Sequence, residues 1–173
     1  MIKKSIVFLI IILFSSAAFA QVYEKQIGIR LGVTSGISGK VIKDDRTAIE
    51  GTLGFRDGGI QLIVLLEAYQ PLIKTNNVHW MLYYGGGGHV GYINGYNKVR
   101  RWSNTSGYYW EEQRISGPVL GIDAVFGTDY TFHKVPITLS VEFKPFFELQ
   151  NFTKLKVNFW DFGFGIAYRF KNN

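Results

Sequence analysis

Along most of this chain apolar and polar residues alternate one by one, a period that only an extended strand turns into two chemically distinct faces. The C-terminal segment is the clearest case. Trp160, Phe162, Phe164, Ile166, Tyr168 and Phe170 share one parity, and Asp161, Gly163, Gly165, Ala167 and Arg169 the other. Between 137 and 149, Ile137, Leu139, Val141, Phe143, Phe147 and Leu149 oppose Thr138, Ser140, Glu142, Lys144 and Glu148. Between 119 and 132, Leu120, Ile122, Ala124, Phe126 and Tyr130 oppose Gly121, Asp123, Gly127, Asp129 and Thr131.

The pattern continues toward the N-terminus. Val78, Trp80, Leu82, Tyr84, Val90 and Tyr92 oppose His79, Tyr83, Gly85, Gly87 and His89. The run 60–69 is almost wholly apolar, yet Gln61, Glu67 and Tyr69 fall on one parity. Ile49, Leu53 and Phe55 oppose Glu50, Thr52 and Arg56; Ile37 and Val41 oppose Ser38 and Lys40; Ile27, Ile29, Leu31 and Val33 oppose Gln26, Gly28, Arg30 and Thr34. These make eight candidate strands, and no stretch after Gln21 carries a helical stripe. Twenty Gly, ten Tyr and fourteen Phe with four Pro suit many strands, tight turns and broad aromatic surfaces.

A soluble sandwich or lipocalin-like barrel also alternates, with its apolar faces turned inward. Here the apolar faces are long and aromatic, and the opposite faces mix Gly with Arg, Lys, Asp and Glu. That chemistry suits a transmembrane barrel, with the apolar face in lipid and a narrow polar interior. Backbone groups in hydrocarbon must all be paired, so the eight strands are expected to close into an all-β, antiparallel, up-and-down transmembrane β-barrel. The soluble barrel is the runner-up.

The first twenty residues stand apart. Lys3 and Lys4 precede an apolar run from Ile6 to Phe14, and Ala18-Phe19-Ala20 closes the segment with small residues. That is the layout of a secretory signal peptide, expected to be cleaved after Ala20, and its apolar centre is too short to span a bilayer. Residues 21–173 then form a single barrel domain. Losing Lys3 and Lys4 lowers the formal charge from +6 to +4, too mild a balance to argue for nucleic acid. With no Cys, disulfides and thiolate metal sites are excluded. No cofactor is expected.

With both ends in the periplasm, the outer connections are expected at Ser35-Gly36, Asp57-Gly58-Gly59, 94–116 and 150–158. The inner ones fall at 44–47, 71–77 and 133–136. The two longest thus lie outside, the usual arrangement in outer-membrane barrels.

Several segments carry a family likeness. Gly165-Ile166-Ala167-Tyr168-Arg169-Phe170 resembles the assembly signal of outer-membrane barrels, a Gly followed by two outward aromatics, although Lys171, Asn172 and Asn173 follow it. The stretch from Gln26 to Phe170 resembles eight-stranded barrels of the OmpA/OmpX type. The short barrels of the Bacteroidota are especially similar, on the segments Gly51–Gly59, Gly85–Gly91, Gly117–Asp123 and Lys144–Glu148. The resemblance implies a Gram-negative outer membrane, with membrane lipid and the outer-membrane assembly machinery as partners.

The inward parity collects Arg30, Lys40, Arg56, Lys144 and Arg169 against Glu50, Glu67, Asp123, Asp129, Glu142, Glu148 and Asp161. An eight-stranded barrel is wide enough only for side chains to fill it, so these charges are expected to pair as a plug. A gated ion pathway is the alternative. Enzyme chemistry has little support. His79 and His89 are ten residues apart, about 33 Å along a strand at ~3.3 Å per residue, and no Ser lies in a G-x-S-x-G context. Gly85–Gly88 lacks the Lys-Ser/Thr of a phosphate loop, and Gly86 and Gly88 are expected to notch the outer wall. The best place to look for function is the 94–116 segment. Arg100 and Arg101 could bind anionic groups, lipopolysaccharide phosphates among them, and Trp102, Tyr108, Tyr109 and Trp110 could join them, belong to the aromatic belt or fold back over the barrel mouth. The expected role is structural or adhesive, without catalysis; solute or ion transport and lipid A modification are the alternatives.

Overall fold

The computed structural model describes residues 24–43, 46–72, 80–103, 107–132 and 134–170. Strands occupy the alternating segments: β1 (Glu24–Gly32), β2 (Ser35–Lys43), β3 (Thr47–Arg56), β4 (Gly59–Pro71), β5 (Trp80–Ser103), β6 (Gly107–Thr131), β7 (Ile137–Phe143), β8 (Phe146–Gln150), β9 (Lys154–Asn158) and β10 (Phe162–Phe170). Among the described residues there is no helix. From β1 to β6 each strand pairs antiparallel with the next; β6 also pairs with β7 and β8, β7 with β10 and β8 with β9. β1 closes the ring on β10, with Lys25 opposite Phe170 and Gly32 opposite Gly163.

Two strands expected to be continuous are each divided. Opposite β6, Phe143 faces Phe126 and Phe146 faces Asp123, so β7 and β8 keep one register. The break is at Pro145, which has no N–H to give the ladder; its carbonyl still accepts from Ala124 N at 2.9 Å. On the other side, Phe159, Trp160 and Asp161 of the last stave lie across from Lys144 and Pro145 alone. That extra residue is a bulge between β9 and β10, and it reverses parity. Lys156 and Asn158 are the half-buried positions before it, Asp161 and Gly163 the buried ones after it. Counting β7–β8 and β9–β10 as one stave each, the sheet is a closed eight-stranded antiparallel barrel.

Alternation then sorts the side chains. Ile27, Leu62, Phe126 and Phe164 lie on the outer wall, 53–66 % exposed, whereas Glu148 and Asp161 are completely buried inside. This is the inverse of a soluble barrel, whose core would hold the aliphatic residues. Near the chain ends, the outer wall carries Trp80, Tyr130 and Phe132 in successive edge-on contacts, with Tyr168 and Phe170 nearby in sequence and 5.1 Å apart.

The connections depart from expectation in three places. The first turn is Val33-Thr34, with Ser35 and Gly36 already in β2; Thr34 is drawn in because its hydroxyl donates to Asp161 at 2.7 Å. The segment 150–158 is a hairpin turning at Asn151–Thr153, where Asn151 and Phe152 take positive φ, and then running back as β9. The 94–116 segment is not a loop. Beyond Ile93, opposite Gly117, the β5–β6 ladder continues to Ser103 opposite Gly107. These ten further pairs form an arm about 33 Å long at ~3.3 Å per residue. Its base is fixed on both sides. Asn94 N donates to Asp57 O at 3.1 Å, and Asn151 Nδ2 donates to Ser116 O at 3.1 Å. At Gly117 (φ +153°) a Cβ would lie 1.5 Å from Asn151 Oδ1, so the exit of the arm demands glycine.

Candidate functional site

Three polar layers cross the lumen, beside a buried cluster that includes Ile63, Leu65 and Val125. Nearest the chain ends, Lys40 on β2 reaches Glu50 on β3 at 3.0 Å and Glu67 on β4 at 2.9 Å. It also donates to the Tyr69 hydroxyl at 2.9 Å, which in turn donates to Asp129 on β6 at 2.9 Å. The rings of Tyr69 and Tyr83 stack at 5.3 Å, and Lys40 Nζ lies 4.4 Å from the Tyr83 centroid. Large rings on β4 and β5 thus hold the ammonium group while the carboxylates neutralise it.

In the middle layer Arg30 on β1 pairs with Glu142 on β7 and, at 3.0 Å, with Asp161 in the β9–β10 bulge. It also donates to the Thr34 carbonyl. The Tyr83 hydroxyl donates to the other Glu142 oxygen at 2.8 Å. The parity reversal matters here, because it turns Asp161 toward Arg30.

In the far layer Arg56 on β3 pairs with Glu148 on β8 and lies over the Phe146 ring, 4.1 Å from its centroid. His89 on β5 stands between Asp123 at 2.7 Å and Glu148 at 3.1 Å. Gln150 donates to the other Glu148 oxygen at 2.8 Å.

Two of the expected lumen residues stand apart from these layers. Lys144 is 2 % exposed yet has no carboxylate within 4.0 Å among the described residues. Arg169 is at the mouth rather than in the network, one position from the C-terminal end of β10, where it meets Glu24 across the β1–β10 seam. Parity alone would have found the participants that charge counting passed over: Thr34, Tyr69, Tyr83, Gln61, Phe146 and Gln150 all hold inward positions. His79 lies outside the described residues. Both ring nitrogens of His89 face carboxylates, so the geometry brings it no nucleophile.

Among the described residues the buried lumen holds seven carboxylates (Glu50, Glu67, Asp123, Asp129, Glu142, Glu148, Asp161) against Arg30, Lys40, Arg56 and Lys144. Glu67 Oε1 and Asp129 Oδ1 have no hydrogen-bond donor among the described residues. A cavity of about 160 Å³ at the mouth near the chain ends is lined by Glu24, Gln26, Tyr69, Met81, Asp129 and Arg169. Past Gln26 and Asp129 it gives way to one of about 30 Å³ beside Arg30, Lys40 and Glu142, room for about one water. Among the described residues no group of acidic or histidine side chains is arranged to hold a metal ion.

Gly165 faces inward, where a Cβ would lie 2.1 Å from Ser140 Oγ, while Tyr168 and Phe170 face outward. On the outer wall Gly39 and Gly51 oppose each other and have open space where a Cβ would stand. Gly86 and Gly88 lie on the same wall, where an added Cβ would meet only the backbone oxygens of Asp123 and Gly121.

The arm separates residues that are adjacent in sequence. Tyr96, Arg100, Trp102, Tyr108, Trp110 and Arg114 share the parity of the outer wall; Arg101, Tyr109 and Glu111 take the other face. Arg100 and Arg101 therefore cannot act on one ligand as neighbours. Arg101 pairs with Glu111 at 3.2 Å. Arg100 stacks 3.9 Å from the Tyr108 centroid, and Trp102 meets Tyr108 edge-on at 4.7 Å. The aromatics do not fold over the mouth: Tyr96 and Trp110 are 69 % and 67 % exposed.

No family model matches the chain, and no curated protein is similar enough to match. Among solved structures, the chain is similar to the N-terminal β-barrel domain of Pseudomonas aeruginosa OprF. The identity is 16 %, the TM-score 0.46, and the match covers 86 % of this chain and 96 % of that one. The class the coordinates define is a closed, eight-stranded, all-β barrel with a polar, side-chain-filled lumen.

Proposed function

We propose that this chain is an outer-membrane barrel of a Gram-negative bacterium, exported by its first twenty residues, with a structural and surface-contact role and no catalysis. The observation that carries the reading is the sorting of side chains: aliphatic and aromatic residues cover the outside of a closed sheet, and charges fill the inside. In water that arrangement leaves a broad apolar surface exposed; in a bilayer it satisfies both solvents. Closure of β1 on β10 pairs the backbone around the barrel, as hydrocarbon requires, with β9 extending past that seam on β8. With the arm on the side away from the chain ends, the long connection stands outside the cell.

The test is refolding into detergent micelles, followed by electrophoresis of boiled and unboiled samples and circular dichroism. A heat-modifiable band with strong β signal is expected. A chain that stays monomeric and soluble without detergent, with no band shift, would overturn the membrane assignment.

The mouth cavity and the acid-rich lumen favour a second reading, passage of small cations. The layer of Arg30, Glu142, Asp161 and Tyr83 argues against it, because these side chains occupy the lumen beyond the mouth cavity and leave a space of about 30 Å³ beside them.

A further inference from the structure

We propose that the outward face of the β5–β6 arm is a docking surface for the phosphorylated sugar headgroup of an outer-leaflet glycolipid. This rests on the membrane reading above and names the partner of the surface that reading leaves outside.

The arm's two faces differ in charge balance. On one, Arg101 is paired with Glu111. The other carries Arg100 and Arg114, with Glu112 as its acid, and Tyr96, Trp102, Tyr108 and Trp110 between them. Among the described residues, Arg114 bonds to the neutral side-chain oxygen of Asn94, at 3.1 and 3.3 Å, and Arg100 stacks on Tyr108. Both guanidinium groups thus have spare donors for phosphate oxygens. The flat rings beside them offer apolar surfaces to the C–H faces of sugars.

The same face is continuous with the barrel's lipid-facing wall, since Tyr92, Asn94 and Tyr96 follow one another on a single parity of β5. Whatever lipid stands against Tyr92 thus meets this face next. Distance then selects among lipids. Arg100 lies eight residues past Tyr92, about 26 Å along the strand. A phospholipid headgroup layer is only roughly 5–8 Å deep on each side, whereas an oligosaccharide headgroup bearing phosphates extends much further. Arg114, opposite Tyr96, is about 13 Å from Tyr92 along the strand. The two cations are spaced along the arm as a tall headgroup would need.

The experiment uses the full mature chain refolded in phosphatidylcholine nanodiscs and titrated with purified lipopolysaccharide of short-chain type. The probes are the wild type, the double variant Arg100→Glu/Arg114→Glu, and Arg101→Glu as the control on the opposite face. Boiled and unboiled electrophoresis runs in parallel. The double variant is expected to lose about tenfold or more in affinity with its band shift intact, Arg101→Glu to lose little, and enzymatically dephosphorylated lipopolysaccharide to bind as weakly as the double variant does. Equal binding by wild type and double variant, or equal binding of phosphatidylglycerol discs and lipopolysaccharide, would overturn the proposal while leaving the barrel standing. Absence of a band shift in the wild type would instead remove the membrane reading beneath it.

Discussion

The hydroxyl of Tyr83 on β5 donates to Glu142 on β7 at 2.8 Å, and the opposite oxygen of that carboxylate pairs with Arg30 on β1. Three staves far apart in sequence are thereby tied through one side chain. Stacking of Tyr83 on Tyr69 and its contact with Lys40 carry the connection into the next layer.

Glu142→Ala is therefore expected to be among the most damaging single changes in the barrel. It strips Arg30 of one of its two carboxylates and leaves the Tyr83 hydroxyl without its acceptor, a loss of about 3–5 kcal/mol for breaking a buried pair. Glu142→Gln, which keeps a hydrogen-bond acceptor, should cost less. Urea titration of the heat-modifiable band measures both. A wild-type midpoint for the alanine variant would show that the layer is not structural.

Glycine substitutions should divide sharply by position. At Gly87 a Cβ would lie 1.9 Å from the Val64 carbonyl oxygen, so Gly87→Ala must push β4 from β5 and is expected to cost more than about 2 kcal/mol or to prevent folding. At Gly39 nothing lies within 4 Å, and Gly39→Ala is expected to be neutral or slightly stabilising, since an alanine loses less freedom in a strand. Equal midpoints for the two variants would contradict this geometry.

Planar bilayers doped with the refolded chain should conduct no better than lipid alone at moderate voltage. The middle layer fills the lumen with Arg30, Glu142, Asp161 and Tyr83, and the adjoining cavity holds about one water. Steady single-channel steps would favour the cation-passage reading.

Removing the arm should leave the barrel intact. Ile93 and Gly117 are already a paired position, so an Asn-Gly turn joining them closes a short hairpin of a favoured type. The shortened chain is expected to keep its band shift and β signal; loss of both would mean that the arm is required for assembly.

Parity carried most of this architecture in the sequence. The inward positions of Arg30, Glu50, Arg56 and Glu142, and the outward ones of Ile27, Leu62 and Phe164, follow from counting by twos. The bulge was not legible, because inserting one residue near Trp160 leaves the alternation on each side intact and changes only how the two runs are phased. The arm was hidden for another reason. In a two-stranded ribbon with solvent on both sides, nothing forces one parity to be apolar, so Tyr96–Ser103 and Gly107–Arg114 lack the pattern that betrays a wall strand. Which carboxylate meets which cation was also out of reach, since those pairs join distant staves through the lumen.

On the proposed membrane reading, the placement of charge has a consequence for how the chain enters a bilayer. A sheet of four or five staves with its curl still open would present charged inward residues such as Lys40, Glu67 and Arg56 to hydrocarbon on its inner surface, besides two rows of unpaired backbone groups. Partial insertion is thus more costly than either end state, and no gradual, strand-by-strand route through the lipid lies downhill. Entry and closure become a single cooperative event, in which the last seam, Lys25 to Phe170 through Gly32 to Gly163, must form as the inner surface leaves water.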